Sequence, residues 1–141
     1  MLYTSPLPRK VYLLGDGMLF DDIIVNMLTS VNNLRVIKRV YDSESAFVTD
    51  VNGCHPDVIL LTETDQYSSE HLLALLSQIP LAGDLRTMVI SMEHKNIQIL
   101  DRPAGWRRDQ ASFSHTLLDI DDWNALLELV TGKRFCSVDI R

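Results

Sequence analysis

Pro56-Asp57-Val58-Ile59-Leu60-Leu61 decides the fold class. After Pro-Asp the run is nearly continuous in apolar residues, the pattern of a central parallel strand covered on both faces. Upstream, Val11 to Leu14 is a second short apolar run, stopped by Gly15-Asp16-Gly17, and it reads as a buried strand ending in a turn. Leu19, Phe20, Ile23, Ile24, Met27 and Leu28 then recur at helical spacing, which predicts an amphipathic helix ending near Asn32-Asn33. Leu34 to Val40 alternates apolar residues with Arg35, Lys38 and Arg39, as expected of an edge strand guarded by charge. Asp42 or Ser43 can cap a short helix carrying Ala46, Phe47 and Val51, with Gly53 as its terminator.

Downstream, Ser68 and Ser69 offer caps for a helix with Leu72, Leu73, Leu76 and Ile79 inward, and Thr87 to Ser91 reads as another buried strand. Near the end, Asp119 or Asp121 precedes Trp123, Leu126, Leu127 and Val130 at helical spacing, with Gly132 where a C-cap belongs. Strands alternating with helices imply an α/β, doubly wound, mostly parallel sheet, here of five strands, whose sites lie at the carboxyl ends of strands. Met92 to Gln110 breaks this alternation. Ile97, Ile99 and Leu100 crowd together before Pro103 and Gly105, which disfavours an uninterrupted helix and predicts a shortened or absent one, with an irregular loop or an added strand pair.

The segments VYLLGDGMLFDDII, PDVILLTET, TMVISM and DDWNALLELVTGKRF, in that order, resemble the receiver domains of bacterial response regulators. The resemblance covers nearly the whole chain, with a domain at residues 9–132 and a tail at 133–141. The ending is most similar to receivers that precede a LuxR-type helix-turn-helix output domain, and no such domain follows within these 141 residues. The resemblance implies a flavodoxin-like fold and a pocket in which an acidic pair after the first strand and an aspartate after the third hold Mg²⁺, the latter accepting a phosphoryl group. Magnesium requires hard anionic oxygens in near-octahedral array.

Carried across residue by residue, the acidic pair falls on Gly15 and Asp16, so one carboxylate is lost. The phosphoacceptor falls on Thr62, whose hydroxyl is a far poorer nucleophile than a carboxylate when no base is at hand. The hydroxyl residue after the fourth strand is matched by Ser91, and His115 stands where the family has a lysine. This is a dismantled phosphorylation pocket, which implies a pseudo-receiver that is not an enzyme, needs no cofactor and acts by binding a protein partner or itself.

Other readings of single residues are weaker. A cation held by Asp16 with Glu63 or Asp65 competes with ordinary capping, and Thr62 and Ser91 more simply satisfy neighbouring backbone. Gly15-Asp16-Gly17 fails as a dinucleotide loop because Phe20 occupies the third glycine position. The four histidines form no i, i+4 pair, so no metal is assigned. Asp21 and Asp22 suit the dipole of the first helix. Arg102, Trp106, Arg107 and Arg108 combine an aromatic with guanidinium groups and are the candidate partner-binding residues, on a side running from Ile97 through Val130 where a homodimer is expected.

The composition, 46% hydrophobic and 23% charged, is that of one globular domain, and no apolar stretch reaches the length of about 18 residues that a membrane span needs. Residues 1–10 carry no signal-like run, so a cytoplasmic location and no membrane partner are expected. A net charge of −6 opposes direct nucleic-acid binding. Cys54 and Cys136 lie in no ligand spacing and read as reduced thiols. Two alternatives to the binding module remain: a switch that answers a small ligand in a cleft rimmed by Asp16, Thr62 and Ser91, and a small flavodoxin-like enzyme, for which no nucleophile, base and orienter assemble.

Overall fold

A computed structural model describes residues 9–17, 19–31, 34–79, 85–91, 96–102, 114–119, 127 and 130. In chain order these form β1 (Arg9–Gly15), α1 (Leu19–Thr29), β2 (Leu34–Val40), α2 (Glu44–Cys54), β3 (Val58–Thr62), α3 (Ser69–Leu76), β4 (Leu85–Ser91), β5 (Asn96–Arg102) and β6 (Ser114–Asp119). The strands make one sheet in the order β2-β1-β3-β4-β5-β6. β1 pairs in parallel with β2 and β3, and β3 with β4, whereas β5 is antiparallel to both β4 and β6. Five strands therefore run in one direction, as expected for a flavodoxin- or CheY-like α/β fold, and β5 is an added sixth running against them.

The Pro-Asp that announces β3 has a structural reason. Lys10 N–H donates to Asp57 Oδ2 at 2.9 Å, Asp57 N–H donates to Lys10 O at 2.9 Å, and Arg86 N–H donates to Asp57 O at 3.1 Å. One aspartate thus ties the starts of β1, β3 and β4 in register. All five residues of β3 are buried, as its unbroken apolar run requires.

Alternation divides the core into two layers. Val11, Leu13, Val58, Leu60, Met88, Ile90, Ile97 and Ile99 face α1, with Ile24 and Leu28 fully buried, and the helical residues Leu127 and Val130 join this layer. Tyr12, Leu14, Ile59, Leu61 and Val89 face α2 and α3, meeting Phe47, Val51, Leu72, Leu76 and Ile79. Ile23, counted with the apolar stripe of α1, is instead 48% exposed. Its neighbour Ile24 takes the inward position, since adjacent helical residues diverge by about 100°.

Ser43 caps α2 by accepting from Ala46 N–H, and Ser68 caps α3 by accepting from His71 N–H. Gly53 does not end α2 as expected. The helix runs through it to Cys54, and His55 closes it in the left-handed region at φ 50°, donating its N–H to Val51 O. Histidine tolerates that region better than most residues, and Pro56 after it prevents continuation. The predicted helix end at Asn32-Asn33 lies outside the described residues, and α1 itself stops at Thr29.

The anomaly between β4 and β6 resolves as an inserted strand. β4 and β5 pair from Leu85↔Arg102 to Ser91↔Asn96, so no crossover helix joins them. Arg86 holds that register by a bidentate bond, Nε to Asp101 Oδ1 at 2.7 Å and Nη2 to Oδ2 at 2.8 Å, across directly paired positions. Ile97 and Ile99 complete the α1-side core, while Gln98 and Leu100 fall on the α3 side, where a fourth helix would lie in a regular doubly wound sheet.

Candidate functional site

The strand order reverses between β1 and β3, so their carboxyl ends form the crevice where this fold class places its sites. Gly15 and Thr62 end those two strands. Thr62 is 4% exposed, and its hydroxyl lies 3.5 Å from both Leu14 O and Asp21 Oδ1.

Asp21 is the decisive residue. It sits in the first turn of α1, yet its carboxylate points back under the end of β1 and is buried. Oδ2 accepts from Gly17 N–H at 2.8 Å. A Cβ on Gly15 would lie 2.2 Å from both carboxylate oxygens, far inside van der Waals contact. The glycine in the acidic-pair position is therefore the space that Asp21 fills. A carboxylate thus reaches the end of β1 from the helix, six residues later in the sequence. Burial pushes the pKa of Asp21 above its ordinary value, and Asp16 adds to that shift, against the opposing hydrogen bond from Gly17 and the Lys38 charge. Gly17 itself sits at φ 84°, a conformation that glycine adopts freely. Asp22, one position on, is on the surface and pairs with Lys38 at 2.5 Å.

Two tyrosines close the crevice from above. The Tyr67 hydroxyl lies between two backbone carbonyls, donating to Thr62 O and reaching Leu14 O at 3.0 Å. Burial, reinforced by the charges of Asp21 and Asp16, raises its pKa, so the phenol stays protonated and keeps donating at neutral pH. Its ring packs on Tyr41, centroids 5.0 Å apart, and Tyr41 N–H donates to Gly15 O at 2.9 Å. Carbonyls at strand ends that would otherwise face a ligand are thus satisfied by the chain itself.

Of the expected pocket residues, the structure brings Gly15 and Thr62 together with Asp21, and leaves Asp16 half-buried beside them. Ser91 is buried but lines a different cleft, together with Glu63, Asp65 and residues of the α3 start. Among the described residues, Thr62 is buried against Asp21 and below Tyr67, while Ser91 lines the neighbouring cleft. His115 is misplaced by the sequence alignment. It pairs with Leu100 at the second position of β6, four residues before the carboxyl end at Asp119, so the backbone carries it toward the opposite end of the sheet. Arg102 pairs with Leu85, also at that opposite end. Trp106, Arg107 and Arg108 lie outside the described residues, as does Cys136. Cys54 is a free, half-buried thiol whose pKa burial pushes up, consistent with a reduced and unreactive side chain.

Asp21 and Tyr67 were missed in the sequence. For Asp21 a signal existed, a glycine in an acidic position followed within one helical turn by an aspartate. For Tyr67 there was none.

Among the described residues, no three His, Cys, Asp or Glu side chains converge as a metal-ligand set, and no helix is long and apolar enough to cross a membrane. No family model and no curated protein matches the chain. Among solved structures, the chain is similar to a crystal structure of a HypX variant from Aquifex aeolicus, at 9% identity with a TM-score of 0.48. That alignment covers 95% of this chain and 29% of the HypX chain. A likeness at that level carries no functional argument.

Proposed function

We propose that this chain is a receiver-like domain of bacterial signal transduction that has exchanged phosphorylation for constitutive protein binding. The observation that carries the reading is the closed crevice. Thr62 stands where the acceptor aspartate would be, and the room that a metal and phosphoryl group would need is taken by the Asp21 carboxylate and the Tyr67 hydroxyl. A phosphorylation site is built to exchange its contents with solvent, whereas these groups satisfy one another and the backbone. With the described ends of β1 and β3 filled in this way, regulation by surface contact is the role we assign to the fold, in transcriptional control in the cytoplasm.

The partner surface is the side from Ile97 through Val130, which carries Arg102, Trp106, Arg107 and Arg108 together with Asp119, Asp121 and Asp122. Opposite charges within that stretch of sequence would favour self-association that weakens with salt. Sedimentation of the full chain and of a Trp106→Ala, Arg107→Glu double variant, each with and without acetyl phosphate and Mg²⁺, tests the reading. The expected result is association by the wild type alone, unchanged by the phosphodonor. A monomer throughout, or association switched on by the phosphodonor, would overturn it.

A further inference from the structure

We propose that the cleft between the start of α3 and the inserted strand β5 binds a small organic cation, a primary amine or aliphatic diamine. This cleft, of about 380 Å³, adjoins the closed crevice and shares Tyr67 with it, and its volume suits a small ligand. Glu63, Asp65 and Glu70 line it, and among the described residues no Lys, Arg or His does. An anion is therefore disfavoured. The carboxylates do not converge on one point as metal coordination demands, so a ligand with several separated N–H donors suits them better than a single ion.

A second observation is independent of the charge. Ser69 is nine-tenths buried, lines this cleft, and its hydroxyl makes no hydrogen bond to any described residue. A buried hydroxyl with no partner is unfavourable by an amount comparable to a hydrogen bond, so it favours a ligand group that can donate to it. An ammonium supplies that donor and the charge together. The start of α3 offers less opposition than a bare helix end, because Ser68 already accepts from His71 and Leu72 N–H and Glu70 lies in the first turn. β5 contributes Gln98 to the wall, so the inserted strand also helps to build this cleft.

The test is titration of the full chain with diaminobutane at low salt, followed by calorimetry, beside butanediol, Mg²⁺ and inorganic phosphate. Saturable binding of the diamine is expected, weakened about tenfold by Glu70→Gln and about threefold to tenfold by Ser69→Ala, with none of the other probes competing. Wild-type folding of both variants is checked by urea midpoint. No saturable binding, equal affinity in Ser69→Ala, or butanediol binding as well as the diamine would overturn the proposal. None of these outcomes bears on phosphorylation or self-association.

Discussion

Replacing Gly15 with Ala puts one methyl group where the Asp21 carboxylate now lies. The new Cβ would sit 2.2 Å from each oxygen, against 3.4–4 Å for ordinary contact, and the atoms it meets belong to a short, buried side chain rather than the free end of a long one. Asp21 must rotate away and give up its bond from Gly17 N–H, a charge-assisted contact that contributes about 1.5–3 kcal/mol. Overpacking adds about 1–3 kcal/mol. Two effects oppose these losses: an ionised carboxylate escapes burial, and alanine narrows the unfolded ensemble by about 0.4–1 kcal/mol. The net destabilisation should be about 2–4 kcal/mol, read as a lower urea midpoint at constant slope. The double variant Gly15→Ala, Asp21→Ala removes the clash at its source. It should be less destabilised than the sum of the single variants by about 1–3 kcal/mol, the coupling expected of residues in direct contact. A single variant within about 0.5 kcal/mol of wild type, or strict additivity, would refute the interlock of Gly15 and Asp21.

Because burial raises the pKa of Asp21, the folded chain holds that proton more tightly than the unfolded chain. The stability this group contributes is full below about pH 4 and declines as pH rises through its raised folded value, so the wild type should lose ground against Asp21→Asn across that window in pH-dependent urea melts. A flat difference would contradict burial of the carboxylate. Tyr67→Phe leaves the Thr62 and Leu14 carbonyls short of a donor and should destabilise by about 1–3 kcal/mol in the same assay, with little effect if water replaces the hydroxyl freely. Thr62→Asp would bring a second carboxylate to within about 3.5 Å of Asp21, and should both lower stability and fail to label rapidly from acetyl phosphate. Rapid labelling of that variant would show that Asp16 and Asp21 can still hold Mg²⁺. Arg86→Ala should destabilise by about 1–3 kcal/mol, because Asp101 loses its bidentate partner across the β4–β5 pair, and neutrality would move the source of that register to Ile97 and Ile99.

The fold was legible where burial alone writes the pattern. Val58 to Leu61 must be apolar on both faces, so a central strand shows in the sequence, and the charged alternation of Leu34 to Val40 marks an edge strand, the place it takes in the sheet. The departure after Met92 was legible as a departure, through Pro103 and Gly105. Its form as a strand was legible only as one of two alternatives, beside an irregular loop, because Asn96 to Arg102 is too short and mixed for periodicity to decide. His115 was misplaced for the same reason. One extra strand shifts every later position relative to the family pattern.

The candidate site was half legible. Gly15 and Thr62 depart from the receiver pattern in residue type alone, and the structure brings both together with Asp21. What replaces it depends on a side chain that runs backward from α1 and on a tyrosine brought in by the loop after β3, long-range contacts that no spacing rule encodes. Asp21 also has a sufficient local explanation at a helix N-terminus, which conceals its buried role.

Intact-mass spectrometry of the full chain incubated with acetyl phosphate and Mg²⁺ tests the central claim most directly. The closed crevice at Gly15, Asp21, Thr62 and Tyr67 predicts an unchanged mass at every time point. A stable, stoichiometric gain of one phosphoryl group, mapped to Asp16, Glu63 or Asp65, would contradict it.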